Sequence, residues 1–107
     1  MKTIHFNEDV IIEIGKNQLE NQLLLDTMDS NNTWFHLADY PSAHLVINVN
    51  YNCLNKKEIY QIASLLKQNS KYKKTNNIAV NYTLRKDLVL TDIAGQVLLN
   101  KYKTINV

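Results

Sequence analysis

The residues best equipped for chemistry crowd into one stretch, "TWFHLADYPSAHLVI", from Thr33 to Ile47. It holds His36 and His44, two of the chain's 3 histidines, together with its only tryptophan, Trp34, and its only proline, Pro41. Four uses of these residues compete. Two imidazoles and the Asp39 carboxylate are the donor types of a facial iron or zinc triad. Known triads use tighter local spacing, however, and a ligand in the turn would need a special loop geometry. General acid–base or nucleophilic catalysis lacks a Ser or Cys placed beside a base, because Ser42 belongs to a turn and His44 to a strand. A purely structural use would hydrogen-bond a histidine into the turn backbone and fix the Asp39–Ala43 loop. The fourth use is a polar, aromatic-bearing sheet face that binds nucleic acid by stacking and phosphate contacts.

Strand parity decides what the two histidines can share, since successive side chains point to opposite faces. In "TWFHL", Phe35 and Leu37 point one way, and Trp34 and His36 the other. In "AHLVINV", Leu45, Ile47 and Val49 point one way, and His44, Val46 and Asn48 the other. With both apolar sets in the core of one sheet, His36 and His44 lie together on the non-core side. Trp34 and Asp39 then hold the turn.

The elements that would position this segment read as follows. "VIIEIG" (Val10–Gly15) is a β-branched strand ending at glycine, and "KTIHF" can pair with it across the turn-forming "NED". "NQLENQLLLDTM" lacks Pro and Gly and predicts a short helix with Leu19, Leu23 and Leu24 on its apolar stripe. "NKKEIYQIASLLKQN" is the clearest helix. Asn55 caps it, Glu58 sits in the reciprocal position, and Ile59, Ile62, Ala63 and Leu66 form a buried face. "NNIAVNYTL" alternates as a half-buried strand, and "GQVLLNKYKTINV" predicts a closing hairpin turning near Asn100–Lys101. The sum is an α+β fold over residues 1–107: a single domain with a mostly antiparallel sheet and two helices packed on one face. Its expected core contains the Ile59–Leu66 stripe with Ile12, Phe35, Leu45, Ile47, Val80 and Val97.

Composition narrows the function classes. A 107-residue chain can bury one core, and 45% hydrophobic with 21% charged residues is an ordinary globular balance. No apolar run reaches the ~20 residues of a membrane helix, and "MKTIHFNEDV" is not a signal peptide. One cysteine, Cys53, precludes an internal disulfide and fits a reducing, cytoplasmic setting, with a small semi-buried side chain as its role. Charge is unevenly spread. Met1–Cys53 carries two lysines against seven acids, a net of −5; from Leu54 onward nine lysines and Arg85 face three acids, a net of +7. A basic face implies an anionic partner. "KQNSKYKKTNN" gathers Lys67, Lys71, Lys73 and Lys74 around Tyr72 at the helix end. Helix-dipole complementation accounts for Lys67 and Lys71 but does not require Lys73, Lys74, Arg85 or Lys86. Lysines interleaved with tyrosines are a phosphate-tracking composition.

These motifs resemble one family in order and along most of the chain. "WFHLADYPSAHLVI" is similar to the signature of the NFACT-R domain, a D/N-x-W-[FL]-H segment followed by [PS]-[GS]-[SA]-H-[VL]. "IGKNQLENQLL" resembles the family's G-[RK]-[ND]-x-x-[QE]-N-[DE]-x-L start, and "IASLLKQNSK" its helix ending in S-K. "VNYTLRKDL" resembles its V-x-Y-T strand and "GQVLLNKYKTINV" its G-x-V…K-T-[IL]-x-V end. The matching positions are Gly15, Lys16, Asn17, Asn21, Trp34, His36, Ser42, His44, Ser70, Lys71, Tyr82, Thr83, Gly95, Lys103 and Thr104. In reading "SAH", and in a short "RKDLVLTDIAG" where large NFACT proteins carry a Gly-Pro-Lys-rich stretch, the chain resembles the small eukaryotic coiled-coil proteins that carry this domain.

The resemblance implies a non-catalytic RNA-binding module. In large NFACT proteins it is joined to domains that act on the large ribosomal subunit, handling tRNA during quality control of stalled nascent chains. The expected binding residues are Lys16, Asn17, Asn21, Trp34, His36, Asp39, Ser42, His44, Lys71, Lys73, Lys74, Arg85 and Lys86. The expected partner is RNA, as tRNA or rRNA, with DNA also admissible. A ribosome or translation factor docked through the sheet edge is the alternative. No membrane, metal or cofactor is expected.

Overall fold

Alternation of apolar and polar residues builds one six-stranded antiparallel sheet in this computed structural model, which describes all residues from Met1 to Val107. The strands are β1 (Lys2–His5), β2 (Ile11–Ile14), β3 (Thr33–Leu37), β4 (Leu45–Ile47), β5 (Ala79–Leu84) and β8 (Lys103–Asn106), in the order β1-β2-β4-β3-β5-β8. A separate two-stranded sheet pairs β6 (Leu88–Leu90) with β7 (Val97–Leu99). The β1–β2 hairpin turns at Asn7, whose Oδ1 accepts from the Asp9 and Val10 amides at 2.9 and 2.8 Å, the local bond that makes Asn a turn residue.

The two helices, α1 (Gln18–Thr27) and α2 (Lys56–Gln68), complete the fold. The Asn55–Glu58 capping box forms as the sequence predicts, with both reciprocal bonds present at 2.8 and 3.0 Å. Ile59, Ile62, Ala63 and Leu66 are buried against Ile12, Phe35, Leu45, Ile47 and Val80, all but Ile59 fully sealed. This is the main core.

The α+β class is as expected, but the helices divide between the faces rather than sharing one. Leu24 and Leu25 of α1 pack with Trp34, Val46 and Leu88 into a second, smaller core on the opposite side of the sheet. The inward stripe of α1 is Asn21, Leu24, Leu25 and Met28, while Leu19 and Leu23 are 78% and 52% exposed. Two leucines of the expected stripe therefore lie outside. The predicted closing hairpin also does not form. β7 turns back onto β6, whereas β8 pairs with β5 through Tyr82↔Lys103 and Asn81↔Thr104, so the break at Asn100–Lys101 separates two sheets. Val97 consequently packs against the second core and is only half-buried. Cys53, expected to be semi-buried, is exposed at the 3₁₀ turn Tyr51–Cys53.

Candidate functional site

The sheet face under α1 is apolar at one end and polar at the other. Val46, Trp34 and Thr83 are cross-strand neighbours, and Val46 and Trp34 belong to the second core. One step further along β3, His36 pairs with Asn81, and Asn81 pairs with Thr104. Thr104 Oγ1 donates to Asn81 Oδ1 at 2.8 Å. His44, the residue before β4, flanks His36, with ring centroids 5.2 Å apart at 86°. A polar row thus crosses the sheet from β4 to β8.

Trp34 joins the two histidines. Its ring stacks on His36, centroids 5.5 Å apart and 2° from parallel, and meets His44 edge-on at 5.4 Å. The indole Nε1–H donates to His44 Nδ1 at 3.0 Å. Indole is a donor only, so this bond assigns the lone pair to Nδ1 and the proton to Nε2 of a neutral imidazole. No buried side-chain nitrogen or oxygen lacks a partner, and Nε2 makes no bond within the protein. It therefore opens onto the cleft that His44 lines. Burial drives the His44 pKa down from 6.5 to about 4, with the neighbouring His36 adding to the shift. Burial also lowers His36, against an opposing pull from the Leu37 and Ser42 backbone. Both rings are neutral at pH 7. The predicted proximity of the histidines holds, but Trp34 and His44 are both buried, at 2% and 4% exposure, Trp34 within the second core.

Three walls rise around this floor and enclose a cleft of about 620 Å³. The first is the start of α1. Asn17 caps the helix by accepting from the Glu20 amide at 2.9 Å, and Asn21 Oδ1 accepts from the His44 amide at 3.1 Å. Gly15 donates its amide to the His44 carbonyl at 3.0 Å, and a Cβ on Gly15 would run into the Asn21 side chain. Gly15 and Asn21 are thus a matched pair clamping α1 to β4. The second wall is the β6–β7 loop. Its Gly95 adopts φ +77°, a conformation that favours glycine, and donates to Gln22 Oε1 at 2.8 Å. The third is the turn at Pro41–Ala43, where Ser42 Oγ accepts weakly from the Leu37 amide at 3.4 Å and donates to the Ala43 carbonyl at 3.0 Å. Asp39 is exposed and makes no hydrogen bond, so Ser42 rather than Asp39 closes this turn.

Lys16, Asn17, Asn21, Trp34, His36, Ser42 and His44 all line the one cleft. Lys71 lines a second hollow of about 400 Å³ with Lys2, and Lys16, Pro41, Ser42 and Ala43 line both. Tyr40 stacks on Tyr72 at 4.2 Å, which docks the Ser70–Lys74 turn beside the Pro41 turn, and Lys73 and Lys74 are exposed on it. Lys71 Nζ sits 5.5 Å from the Tyr72 ring centre. Lys67 is engaged elsewhere, donating to the Val107 carbonyl at 3.1 Å. Arg85 and Lys86 lie apart from the cleft. They follow Leu84, which pairs with Thr33 at the far end of β3, and Arg85 Nε donates at 2.8 Å to the Leu25 carbonyl near the end of α1. The sequence reading omitted Asn81, Gln96 and Lys2, which line these hollows. Asn81 was legible from its parity with His36; Lys2 and Gln96 arrive only through the tertiary fold.

Comparison with known proteins adds to this geometry. No curated relative matches the chain. Among solved structures, the C-terminal part of the fibronectin/fibrinogen-binding protein from Streptococcus suis superposes with a TM-score of 0.82 at 28% identity. The match covers 98% of this chain and 43% of that one, so the present chain spans less than half of its relative. The sequence profile of the NFACT protein RNA binding domain matches residues 2–100, taking in both helices, the histidine cleft and both hollows' lysines. This chain belongs to the NFACT protein RNA-binding domain family.

Proposed function

We propose that this protein is a non-catalytic module that binds RNA, tRNA or rRNA, through the cleft at the polar end of the α1 face. The observation that carries the reading is the His36–Trp34–His44 cluster, whose rings are fixed by mutual packing beneath an opening rimmed by Lys16. Neutral imidazoles with an outward N–H suit base stacking and hydrogen bonding, and lysines at the rim suit phosphates. Lys71, Lys73 and Lys74 extend the basic surface from the adjoining turn. No helix of the protein is long and apolar enough to cross a membrane. Work at the ribosome in a cytoplasmic setting, within a larger assembly, is the context that the family suggests.

A protein-docking module is the second reading. The structural relative is a fibronectin/fibrinogen-binding protein, and β1 and β8 are open sheet edges. Those edges carry Lys2 and Lys103, and lysine on an edge strand opposes the addition of another strand. The RNA reading is therefore favoured. Fluorescence anisotropy of a labelled tRNA against salt concentration separates the two. Phosphate-led binding gives a steep log–log slope close to the number of phosphates neutralised. A flat response would favour the protein partner.

A further inference from the structure

The two hollows are not independent. They share a ridge formed by Lys16, Pro41, Ser42 and Ala43, so the histidine cleft and the hollow that holds Lys2 and Lys71 adjoin. The two ends differ in chemistry. At one end the floor is aromatic and uncharged, with His36 stacked on Trp34 and the Nε2–H of His44 facing the opening. At the other, Lys2 and Lys71 converge on a hollow with Asn69 and Ser70, and no acidic side chain lines it. Lys2 Nζ is steadied there by Asn69 Oδ1 at 3.1 Å, and the Lys71 chain lies by the Tyr72 ring. Neither ammonium group is neutralised, because the one ion pair of the protein joins the N-terminus to Glu20.

We infer that these adjoining hollows bind a single unpaired nucleotide, its base lodged in the histidine chamber and its flanking phosphate in the Lys2–Lys71 hollow. The inference rests on the RNA reading above and adds to it the form of the ligand, a single strand or an extruded loop base rather than a duplex. Three physical points support it. A cleft of about 620 Å³ is well over the volume of one base, and walls on three sides suit a single extruded base better than the side of a duplex. Stacking is sequence-tolerant and requires an exposed base face, which a base inside a duplex does not offer. A phosphate follows its base by one sugar, and Ser42 lines both hollows, the adjacency that a nucleotide engaging both would need.

Trp34 is the only tryptophan, so its emission reports on the chamber directly. The full chain would be titrated with a fluorescein-labelled RNA octamer in three forms: single-stranded, annealed to its complement, and carrying abasic riboses throughout. Anisotropy would follow binding and Trp34 emission would follow chamber occupancy. The expected result is that the single strand changes Trp34 emission in step with binding. The duplex and the abasic strand bind more weakly and leave that emission unchanged. The double substitution Lys2→Gln with Lys71→Gln should flatten the single-strand salt slope by about one unit, for the one phosphate that the two lysines share. If all three RNAs bind with the same Trp34 response, or if the double substitution leaves the slope unchanged, the inference is overturned while the RNA reading stands. If no RNA binds in any form, both are overturned.

Discussion

The two faces of the sheet use the same strands for opposite ends. On the α2 face, Ile12, Phe35, Leu37, Leu45, Ile47 and Val80 are fully buried, so the four central strands are sealed there. On the α1 face, apolar packing stops at Val46 and Trp34, and the row beyond it is His44, His36, Asn81 and Thr104. A sealed face can contribute only stability. A half-covered face holds rigid side chains at the mouth of a cleft, the arrangement a binding site needs. Trp34 lies at the boundary, packed into the small core by its ring and bonded to the site by its Nε1–H.

Breaking the sealed face should have the largest effect. Phe35→Ala removes a fully buried ring stacked on Tyr82 at 5.4 Å and should cost about 3–5 kcal/mol of stability. Chemical denaturation would show this as a lowered midpoint, while RNA affinity per folded molecule stays unchanged. Acid should strike the other face. His44 has a folded pKa of about 4 against 6.5 when free, so its neutral form is favoured by folding. The contribution, on the order of 3 kcal/mol, is fully present above pH 6.5 and is lost as pH falls from there toward 4. Denaturation midpoints measured at pH 7 and pH 4.5 should differ in wild type, and differ less in His44→Gln. Equal losses in both proteins would place the acid sensitivity elsewhere.

Smaller effects sharpen the comparison. Asn55→Ala deletes half of the α2 capping box and should cost about 1 kcal/mol in thermal stability, without altering RNA binding. Lys71→Ala and Lys73→Ala alter exposed side chains and should leave the melting temperature unmoved. Each should flatten the RNA salt slope by about one unit. A binding curve insensitive to both would remove the Ser70–Lys74 turn from the interface.

The sealed face was legible in the sequence, and the half-covered one only in part. Alternation in β3, β4 and β5 and the Ile59–Leu66 stripe specify the main core because each apolar residue there recurs at the period of its element. Parity also placed His36 and His44 together. It did not reveal that α1 and the β6–β7 hairpin cover Trp34, since parity assigns a face without saying what packs on it. In α1 four leucines offered more than one stripe, and the correct one includes Asn21, a polar residue whose inward position depends on its bond to the His44 amide. The break between β7 and β8 was hidden for a similar reason. "VLLNKYKTI" has the pattern of a hairpin, and only the pairing of β8 with β5 shows that its halves belong to different sheets.

The most direct test of the account is His36→Ala, assayed for melting and for RNA binding on the same preparation. His36 lies at the opening, half-buried and stacked on Trp34, with the Leu37 and Ser42 backbone beside its ring. The account predicts a protein that melts close to wild type and binds RNA more weakly by roughly 1–3 kcal/mol, the loss of one stacking contact. A variant that melts well below wild type yet binds RNA with full affinity when folded would contradict it, and would make the cluster a structural feature of the second core.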